Sequence, residues 1–463
     1  MSKTENLNDQ PVGWALFRVS APMSIGIFGV LMVGLADAFF LARYGDFALT
    51  AVGFIYPVIM TLTSLSIGLS AGTSTVISQA LGRGEDQGKQ RMTLHAMMLG
   101  LALSTTATIL FYLAAPWLFS LMGASDKVLE AIMAYILWWC VSFPFLVVSM
   151  SLNSVFRAAG RSEVAAITML GQAILNIGFT PLLIFGWGPI PELGVAGAGM
   201  ATFIARFVSF TGVIGYAWWH GDVCFNLNPI KDLGRSLKRI GRVAGPASLS
   251  NAINPGGMAA VTAAVAVVGE TAVAGFGAAT RVQSLLLLPM LAMSSGIGPV
   301  VGQAWGADQT ERAQRAVRLT FIACAVYGAA LATVLMLFAN PVVALVADNE
   351  EAAEYGAQYL RFVGLSLFGY GILITGNAAM NARDRALWSM GLSAGRIALI
   401  YMPFAWIGVM VFGYTGILGA AIAANVLGAY GAVIACRAVG LLGRDAPGIS
   451  GPARMARSAA SSD

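Results

Sequence analysis

Charged residues are scarce in this chain. Asp, Glu, Lys and Arg make up 11% of its 463 residues, whereas a soluble globular protein carries about 25%. Hydrophobic residues make up 57% of the chain, and its mean hydropathy is +0.75. This composition excludes an ordinary soluble protein and indicates a polytopic membrane protein.

Residues that bind metals or act as nucleophiles are also few. The chain has four Cys and two His: Cys140, Cys224, Cys324, Cys436, His95 and His220. Their spacing matches no CxxC or metal-ligand pattern. A membrane-embedded enzyme is an alternative, but the sequence has no His/Glu cluster, Ser/His/Asp set or Gly-rich phosphate loop to support it. We therefore expect a protein that is not an enzyme and binds no metal.

Twelve apolar runs are long enough to cross a bilayer, which takes about 20 mostly apolar residues in a helix. We expect transmembrane helices at residues 16–42, 50–79, 94–119, 129–156, 162–187, 194–219, 240–268, 272–303, 316–340, 355–380, 387–412 and 416–440. Glycine is abundant, with 54 residues, and small residues let membrane helices pack closely. The sequence therefore predicts an all-α integral membrane fold.

The basic residues between these runs predict the orientation of the chain. They lie mainly in the even-numbered loops: Arg83, Lys89 and Arg91; Arg157 and Arg161; Lys231, Arg235, Lys238, Arg239 and Arg242; Arg312, Arg315 and Arg318; Arg383 and Arg385. Cytoplasmic loops of membrane proteins carry an excess of Lys and Arg. We therefore expect both termini to be cytoplasmic, and the net charge of +5 to reflect these loops rather than a nucleic-acid partner.

An internal repeat relates the two halves of the chain. Residues 70–93 match residues 294–317 at eight of 24 positions without a gap, at an offset of 224 residues. Positions paired by this offset include Gln79/Gln303, Arg91/Arg315, Asn153/Asn377 and Ala158/Ala382. Similarity at a fixed offset is the mark of a repeat architecture, and here it extends into a charged loop.

The repeat also predicts the domain organisation. The offset spans six helices, an even number, so the two halves share one topology. Parallel repeats of this kind build transporters with the substrate site between two lobes. We expect a cytoplasmic N-terminal segment (1–15), an N-lobe (16–220), a cytoplasmic linker (221–239), a C-lobe (240–440) and a disordered cytoplasmic tail (441–463).

One carboxylate, Asp37, stands inside the first apolar run. The next charge is Arg43, six residues later, which a helix places on a different face. Ionisable residues at membrane depth are costly and mark ion or substrate pathways, although a hydrogen-bonded packing role is the alternative. Pro22 lies fifteen residues before Asp37, and a proline inside a helix removes a backbone hydrogen bond. We expect either a hinge at Pro22 that responds to protonation of Asp37, or a static bend.

These features together resemble the MATE (multidrug and toxic compound extrusion) family of cation-coupled efflux transporters. The resemblance rests on the loops SQALGRGEDQGKQR (78–91) and GQAWGADQTERAQR (302–315), on the Asp37 motif and on Leu175–Pro181 in the fifth helix. It implies a V-shaped pair of six-helix lobes in a bacterial inner membrane, opening alternately to either side. It also implies export of amphipathic, often cationic compounds, driven by inward flow of protons or sodium ions.

The resemblance also implies a set of coupling residues. In the DinF-like branch of the family, coupling involves the first-helix Asp and polar residues of the fifth and sixth helices. In this sequence those residues are Asp37, Asn176 and Thr202, with Asn176 as the expected partner of Asp37. Thr180 stands where that branch often has a second carboxylate. The resemblance therefore predicts a coupling site with one carboxylate in the N-lobe.

The C-lobe lacks the acids that the NorM-like branch of the family carries in its seventh and tenth helices. Asn254 and Tyr370 stand at the corresponding places. We therefore expect no cation site in the C-lobe and favour the DinF-like branch.

The coupling ion depends on the oxygen atoms available. Removal from water favours the uncharged form of a carboxyl, and Asn176 and Thr180, four residues apart, share one helix face. One carboxylate, two hydroxyls and an amide barely supply the oxygen ligands of a sodium ion. We expect protons as the coupling ion, with sodium ions as the alternative, and no other cofactor.

The substrate is expected to bind between the lobes. Aromatic and Met side chains hold varied apolar cations by dispersion and cation–π contacts. The candidate cavity residues are Phe54, Tyr56, Met60, Met258, Arg281 and Met290. Arg206, Arg361 and Arg396 also lie in apolar runs, where an arginine can extend to a membrane interface.

A second class of transporter is an alternative function for this chain. Lipid-linked oligosaccharide flippases of the wider superfamily have a strongly cationic central cavity, so several cavity arginines would favour that function. The repeated loops with Gln79 and Gln303 favour the MATE family instead. The expected partners are the lipid bilayer and small amphipathic or cationic drugs, and the chain is expected to act as a monomer.

Overall fold

A computed structural model of the chain describes residues 7–189, 191–224, 228–347 and 349–443. Within these ranges it forms fifteen α-helices joined by short turns. They are α1 (Val12–Tyr44), α2 (Asp46–Gly82), α3 (Asp86–Leu121), α4 (Asp126–Ala158), α5 (Ser162–Phe185), α6 (Gly194–Trp219), α7 (Leu233–Ala266), α8 (Glu270–Leu286), α9 (Leu288–Gly306), α10 (Thr310–Ala344), α11 (Glu350–Gly364), α12 (Leu367–Ala382), α13 (Ala386–Ala394), α14 (Met402–Phe412) and α15 (Tyr414–Ala438). A 3-10 turn precedes α1, and a π-helical segment, Gly395–Tyr401, joins α13 to α14.

These helices correspond to the twelve predicted spans. Among the described residues, nine uninterrupted segments are long and apolar enough to cross a bilayer: α1 to α6, α10, α13–α14 and α15. Two bent pairs, α8–α9 and α11–α12, qualify when each pair is taken together. α7 corresponds to the seventh predicted span but is not among these segments, and its first turns carry the basic residues of the sixth loop. Helices dominate because a helix satisfies its own backbone hydrogen bonds inside the bilayer.

The eighth span is not the single helix that the sequence predicts. It breaks after Leu286, and α8 and α9 meet there at an angle of 46°. Pro289 lies in the first turn of α9, and it has no amide hydrogen with which to continue the helix of α8.

The tenth span is also broken, between Gly364 and Leu367, where α11 and α12 meet at 61°. Ser366 lies in this break, and its hydroxyl donates to the Val363 carbonyl and accepts from Asn425. The side chain thus stabilises a turn that apolar composition alone does not reveal.

The ends of the lobes differ from the predicted limits. α1 begins at Val12, and Leu7 before it is fully buried. α7 begins at Leu233, inside the predicted linker, because a helix can continue beyond the bilayer where its basic side chains reach water. Leu441, in the predicted tail, is also fully buried. The rest of that tail, from residue 444, lies outside the described residues.

Two hydrophobic cores correspond to the two halves of the chain. One packs α1 to α6 around Trp139 and Phe143, and it includes residues from the start of α7. The other packs α7 to α12, α14 and α15 around Phe276 and Tyr359. A third cluster joins the first turns of α1 to α9, α10, α12 and α15. We refer to α1–α6 as the N-lobe and to α7–α15 as the C-lobe.

The lobes are joined where α2 and α9 terminate, which we term the closed end of the bundle. The Gln79 side chain of α2 donates to the Ala382 carbonyl of α12 at 2.9 Å. The Gln303 side chain of α9 donates to the Ala158 carbonyl of α4 at 2.7 Å. The loops at this end are the even-numbered ones that the charge pattern predicts to be cytoplasmic.

Small residues allow α2 and α7 to approach closely near the closed end. A Cβ atom on Gly72 would lie 2.7 Å from the carbonyl oxygen of Ile240 and 3.0 Å from the Cβ of Ala244. Gly68, one turn earlier, faces Ser248 in the same way. The two lobes therefore pack through backbone surfaces here, as membrane helices with small residues do.

Candidate functional site

The candidate site lies in the N-lobe around Asp37 of α1. Two glycines let α1 lie directly against α5, because a Cβ atom on Gly26 would be 3.1 Å from the Ala166 Cα and one on Gly29 3.2 Å from the Ala173 Cβ. Following α1 in the same direction, this close packing brings Asp37 beside the second half of α5. Asp37 is partly buried there.

Thr180 of α5 is the direct partner of Asp37. Its hydroxyl donates to the Asp37 Oδ1 at 3.1 Å, and the Thr180 side chain is fully buried. The sequence favoured Asn176 as the partner. The structure instead places Asn176 one helical turn earlier on α5, where no hydrogen bond joins it to Asp37 among the described residues.

Asn176 and Thr202 form a second pair beside the first. The Asn176 Nδ2 donates to the Thr202 hydroxyl at 3.2 Å, and that hydroxyl donates to the Ala198 carbonyl at 3.1 Å. Asn176 is only 2% exposed, and its Oδ1 makes no hydrogen bond within the described chain. A buried amide oxygen without a donor is costly, so this atom is available to a proton donor or a ligand in the site.

Arg206 of α6 also faces this site, and the sequence did not assign it there. It lies four residues after Thr202, on the same face of the helix. Its Nη1 donates to the Ser142 hydroxyl at 2.8 Å. The guanidinium interacts electrostatically with Asp37 and with Tyr135 of α4. The signal that could have identified it is a cation one turn beyond a predicted site threonine.

The C-lobe has a different polar centre. The Arg396 Nη1 donates to the Asn425 Oδ1 at 3.1 Å, and its guanidinium carbon lies 5.2 Å from the centre of the Tyr370 ring. Asn254 is partly buried. No group of three or more His, Cys, Asp or Glu side chains that could hold a metal occurs among the described residues.

The predicted cavity residues divide into several groups. Met290 is fully buried, and its sulfur packs against Gly371 inside the C-lobe. Met290 thus lies on the face of α9 that packs onto α12, and its assignment to the cavity stays a prediction. Phe54 and Met258 are partly buried and pack on the cores of the N-lobe and C-lobe. The remaining three are accessible to different degrees: Met60 is partly buried, whereas Tyr56 and Arg281 are exposed.

α1 continues without interruption through Pro22. Ser20, two residues earlier, packs against Gly296 of α9 near the closed end. The segment around Pro22 therefore lies next to the contact between the lobes, and the proposed hinge stays a prediction.

The comparison with known proteins identifies the family. A family profile described as MatE matches residues 22–182 and again residues 246–407. The two matches begin 224 residues apart, which is the offset of the internal repeat. The chain belongs to the MATE family. The predicted all-α membrane fold of two six-helix lobes is thereby confirmed.

Similar proteins cover almost the whole of this MATE chain. The FAD transporter of Shewanella oneidensis is 33% identical over 430 residues, 92% of this chain and 95% of the relative. The multidrug export protein MepA of Staphylococcus aureus is 24% identical, covering 92% and 93%. The crystal structure of the Vibrio cholerae MATE transporter VcmN in the bent form aligns with a TM-score of 0.87 at 27% identity, covering 95% and 98%. This MATE protein is therefore a multi-pass membrane transporter, and its relatives are named for different substrates.

Proposed function

We propose that this MATE protein is a secondary active exporter in which Asp37 couples substrate export to proton entry. The observation that carries the proposal is a partly buried carboxylate in a membrane span with one direct donor, Thr180. Ionisable groups in such positions mark ion pathways. We also propose that both termini lie in the cytoplasm, so that the closed end faces inward.

The hydrogen bonds around Asp37 suit a group that changes its protonation state. The ionised carboxylate accepts from Thr180. When Asp37 is protonated it becomes a donor, and the unpaired Oδ1 of Asn176 supplies an acceptor in the same cluster. A proton can therefore rearrange the contacts between α1 and α5 and bias the lobes toward one state.

Protons suit this site better than sodium ions. A hard metal cation requires a shell of oxygen ligands. Among the described residues, the hydrogen-bonded cluster offers the oxygens of Asp37, Thr180, Asn176 and Thr202, and Asn176 is hydrogen-bonded to Thr202 rather than to Asp37.

For the substrate we propose amphipathic organic compounds, including cations. A flavin dinucleotide is a second candidate, favoured by the C-lobe centre, where Arg396 lies over the Tyr370 ring without an acidic partner among the described residues. An arginine beside an aromatic ring suits a planar, anionic molecule. The relative named as an FAD transporter supports the same candidate.

The test is transport into everted membrane vesicles, in which export appears as uptake. Ethidium and FAD are compared under a pH gradient, under a sodium gradient with the pH gradient collapsed, and with Asp37→Asn. We expect the pH gradient to drive uptake that Asp37→Asn abolishes. Uptake by Asp37→Asn equal to that of the wild type contradicts the coupling site, and uptake that depends on sodium alone reverses the ion assignment.

Arg396→Gln separates the two substrate candidates. If FAD is a substrate that binds at Arg396, this variant loses the uptake of FAD, while any uptake of ethidium is unchanged. If the uptake of FAD and the uptake of ethidium are both unchanged, Arg396 does not contact the substrate.

A further inference from the structure

Arg206 is a charged residue of the N-lobe that the proposed coupling mechanism does not use. Residues of α4 hold its guanidinium in place. Its Nη1 donates to the Ser142 hydroxyl at 2.8 Å, and its guanidinium carbon lies 5.4 Å from the centre of the Trp139 ring. Ser142 and Trp139 are both buried, so the anchor is rigid.

The same guanidinium acts on Asp37 without pairing with it directly. It interacts electrostatically with Asp37, yet no direct ion pair joins the two among the described residues. The Arg206 Nε is buried and makes no hydrogen bond in the described chain. A fixed positive charge on α6 therefore acts electrostatically on the carboxylate, which Thr180 contacts from α5.

The charges at this site balance. Among the described residues, Tyr135 of α4 also interacts electrostatically with Asp37, and a phenol is neutral near pH 7. Thr180, which donates to Asp37, is also neutral. Among the described residues, the site thus has one negative and one positive charge when Asp37 is ionised.

This balance distinguishes between the two possible coupling ions. A proton forms a covalent O–H bond with the carboxylate, which a nearby positive charge weakens but does not prevent. A sodium ion is held only by electrostatic attraction and oxygen ligands, and a guanidinium beside the carboxylate opposes that attraction. We propose that Arg206 is the built-in counter-cation of Asp37 and that it restricts the coupling site to protons by repelling sodium ions. The inference rests on the proposed function of Asp37.

The test compares two variants of Arg206 that keep a long side chain and differ in its charge. Arg206→Met removes the charge and Arg206→Lys keeps it. The first readout is the sodium-dependent shift in the melting temperature of the full-length protein in detergent. The second is transport in proteoliposomes driven by a sodium gradient without a pH gradient.

We expect no sodium response from the wild type or Arg206→Lys. We expect Arg206→Met to respond to sodium ions at concentrations roughly tenfold or more below the highest at which the wild type shows no response, the size of effect that a neighbouring charge has on an ionisable group.

Two controls exclude a purely structural role for Arg206. Ser142→Ala removes the anchor of the guanidinium and leaves its charge, so it should remain insensitive to sodium. The double variant Asp37→Asn with Arg206→Met should lose the gained sodium response, because the carboxylate that binds the ion is gone. If Arg206→Met does not fold, Arg206→Gln carries the same test, since it keeps a donor for Ser142.

The outcomes separate this inference from the proposed function. If the neutral variant that folds, Arg206→Met or Arg206→Gln, transports under a pH gradient but shows no sodium response, the role of Arg206 is wrong while coupling by Asp37 stands. A sodium response in the wild type also overturns it. If Asp37→Asn alone transports normally under a pH gradient, the proposed function itself fails, whatever the Arg206 variants do.

Discussion

Gln79 and Gln303 make the same hydrogen bond in opposite directions across the two lobes. Gln79 of the N-lobe donates to the carbonyl of Ala382, and Gln303 of the C-lobe donates to the carbonyl of Ala158. The two glutamines lie 224 residues apart in the sequence, and so do the two alanines. The duplicated loops therefore supply two matching halves of one contact, which holds the closed end together.

The glutamine contact predicts how the closed end opens. Gln79→Ala removes the donor to the Ala382 carbonyl and to the Asp384 carboxylate, and leaving a buried acceptor unpaired costs about 1–3 kcal/mol. We expect the population opened at this end to rise by roughly tenfold for each 1.4 kcal/mol lost. Electron spin resonance distances between labels at exposed positions 83 and 311, one in each lobe, measure the opening.

Gln314→Ala is the matched control for Gln79→Ala. Gln314 also donates to backbone carbonyls, those of Gly440 and Gly443, but within the C-lobe. Gln314→Ala should leave the distribution of distances between the labels at positions 83 and 311 unchanged. If Gln79→Ala and Gln314→Ala give the same distribution, the contact between the lobes is not what keeps this end closed.

Thr180 provides a second prediction, at the coupling site itself. Thr180→Val keeps the shape of the side chain and removes the donor to Asp37. A hydrogen bond to a charged group contributes about 1.5–3 kcal/mol, so we expect proton-driven transport to fall by roughly tenfold or more. Thr180→Ser retains the donor and should keep most of the rate. Equal rates for the Val and Ser variants would show that the hydroxyl plays no part.

A buried ion cluster after α6 predicts a large loss of stability. Asp222 is fully buried and pairs with Lys89 and Arg161, each at 2.5 Å. Removing one partner of a buried pair costs about 3–5 kcal/mol, so Asp222→Asn should lower the melting temperature in detergent strongly. Asp232→Asn breaks a more exposed pair with Arg91 and should cost less than about 1 kcal/mol. Similar melting temperatures for the two variants would contradict this account.

Much of the fold follows from patterns that the sequence displays directly. A transmembrane helix requires a long apolar run, and the runs in this sequence predicted the twelve helical segments. The breaks after Leu286 and Gly364 were missed because neither changes hydropathy. Pro289 is a visible cause at the first break, but the second depends on Ser366 contacting Asn425 on a distant helix.

The candidate site was predicted in part, for similar reasons. The resemblance to a family selected Asp37, Asn176, Thr180 and Thr202, and the structure gathers them into two hydrogen-bonded pairs. Which residue bonds to Asp37 depends on the rotation of α5 about its axis, which spacing along one helix does not determine. Arg206 was missed because the sequence does not distinguish an arginine that faces a site between helices from one that extends to the membrane surface.

The most direct test of the central claim measures proton movement through Asp37. The purified protein is reconstituted in proteoliposomes that contain a pH-sensitive dye, and an outward substrate gradient is imposed without a pH gradient. We predict that the wild type moves protons in the direction opposite to the substrate, and that Asp37→Asn moves none while still binding substrate. Proton movement by Asp37→Asn at the wild-type rate would contradict the account.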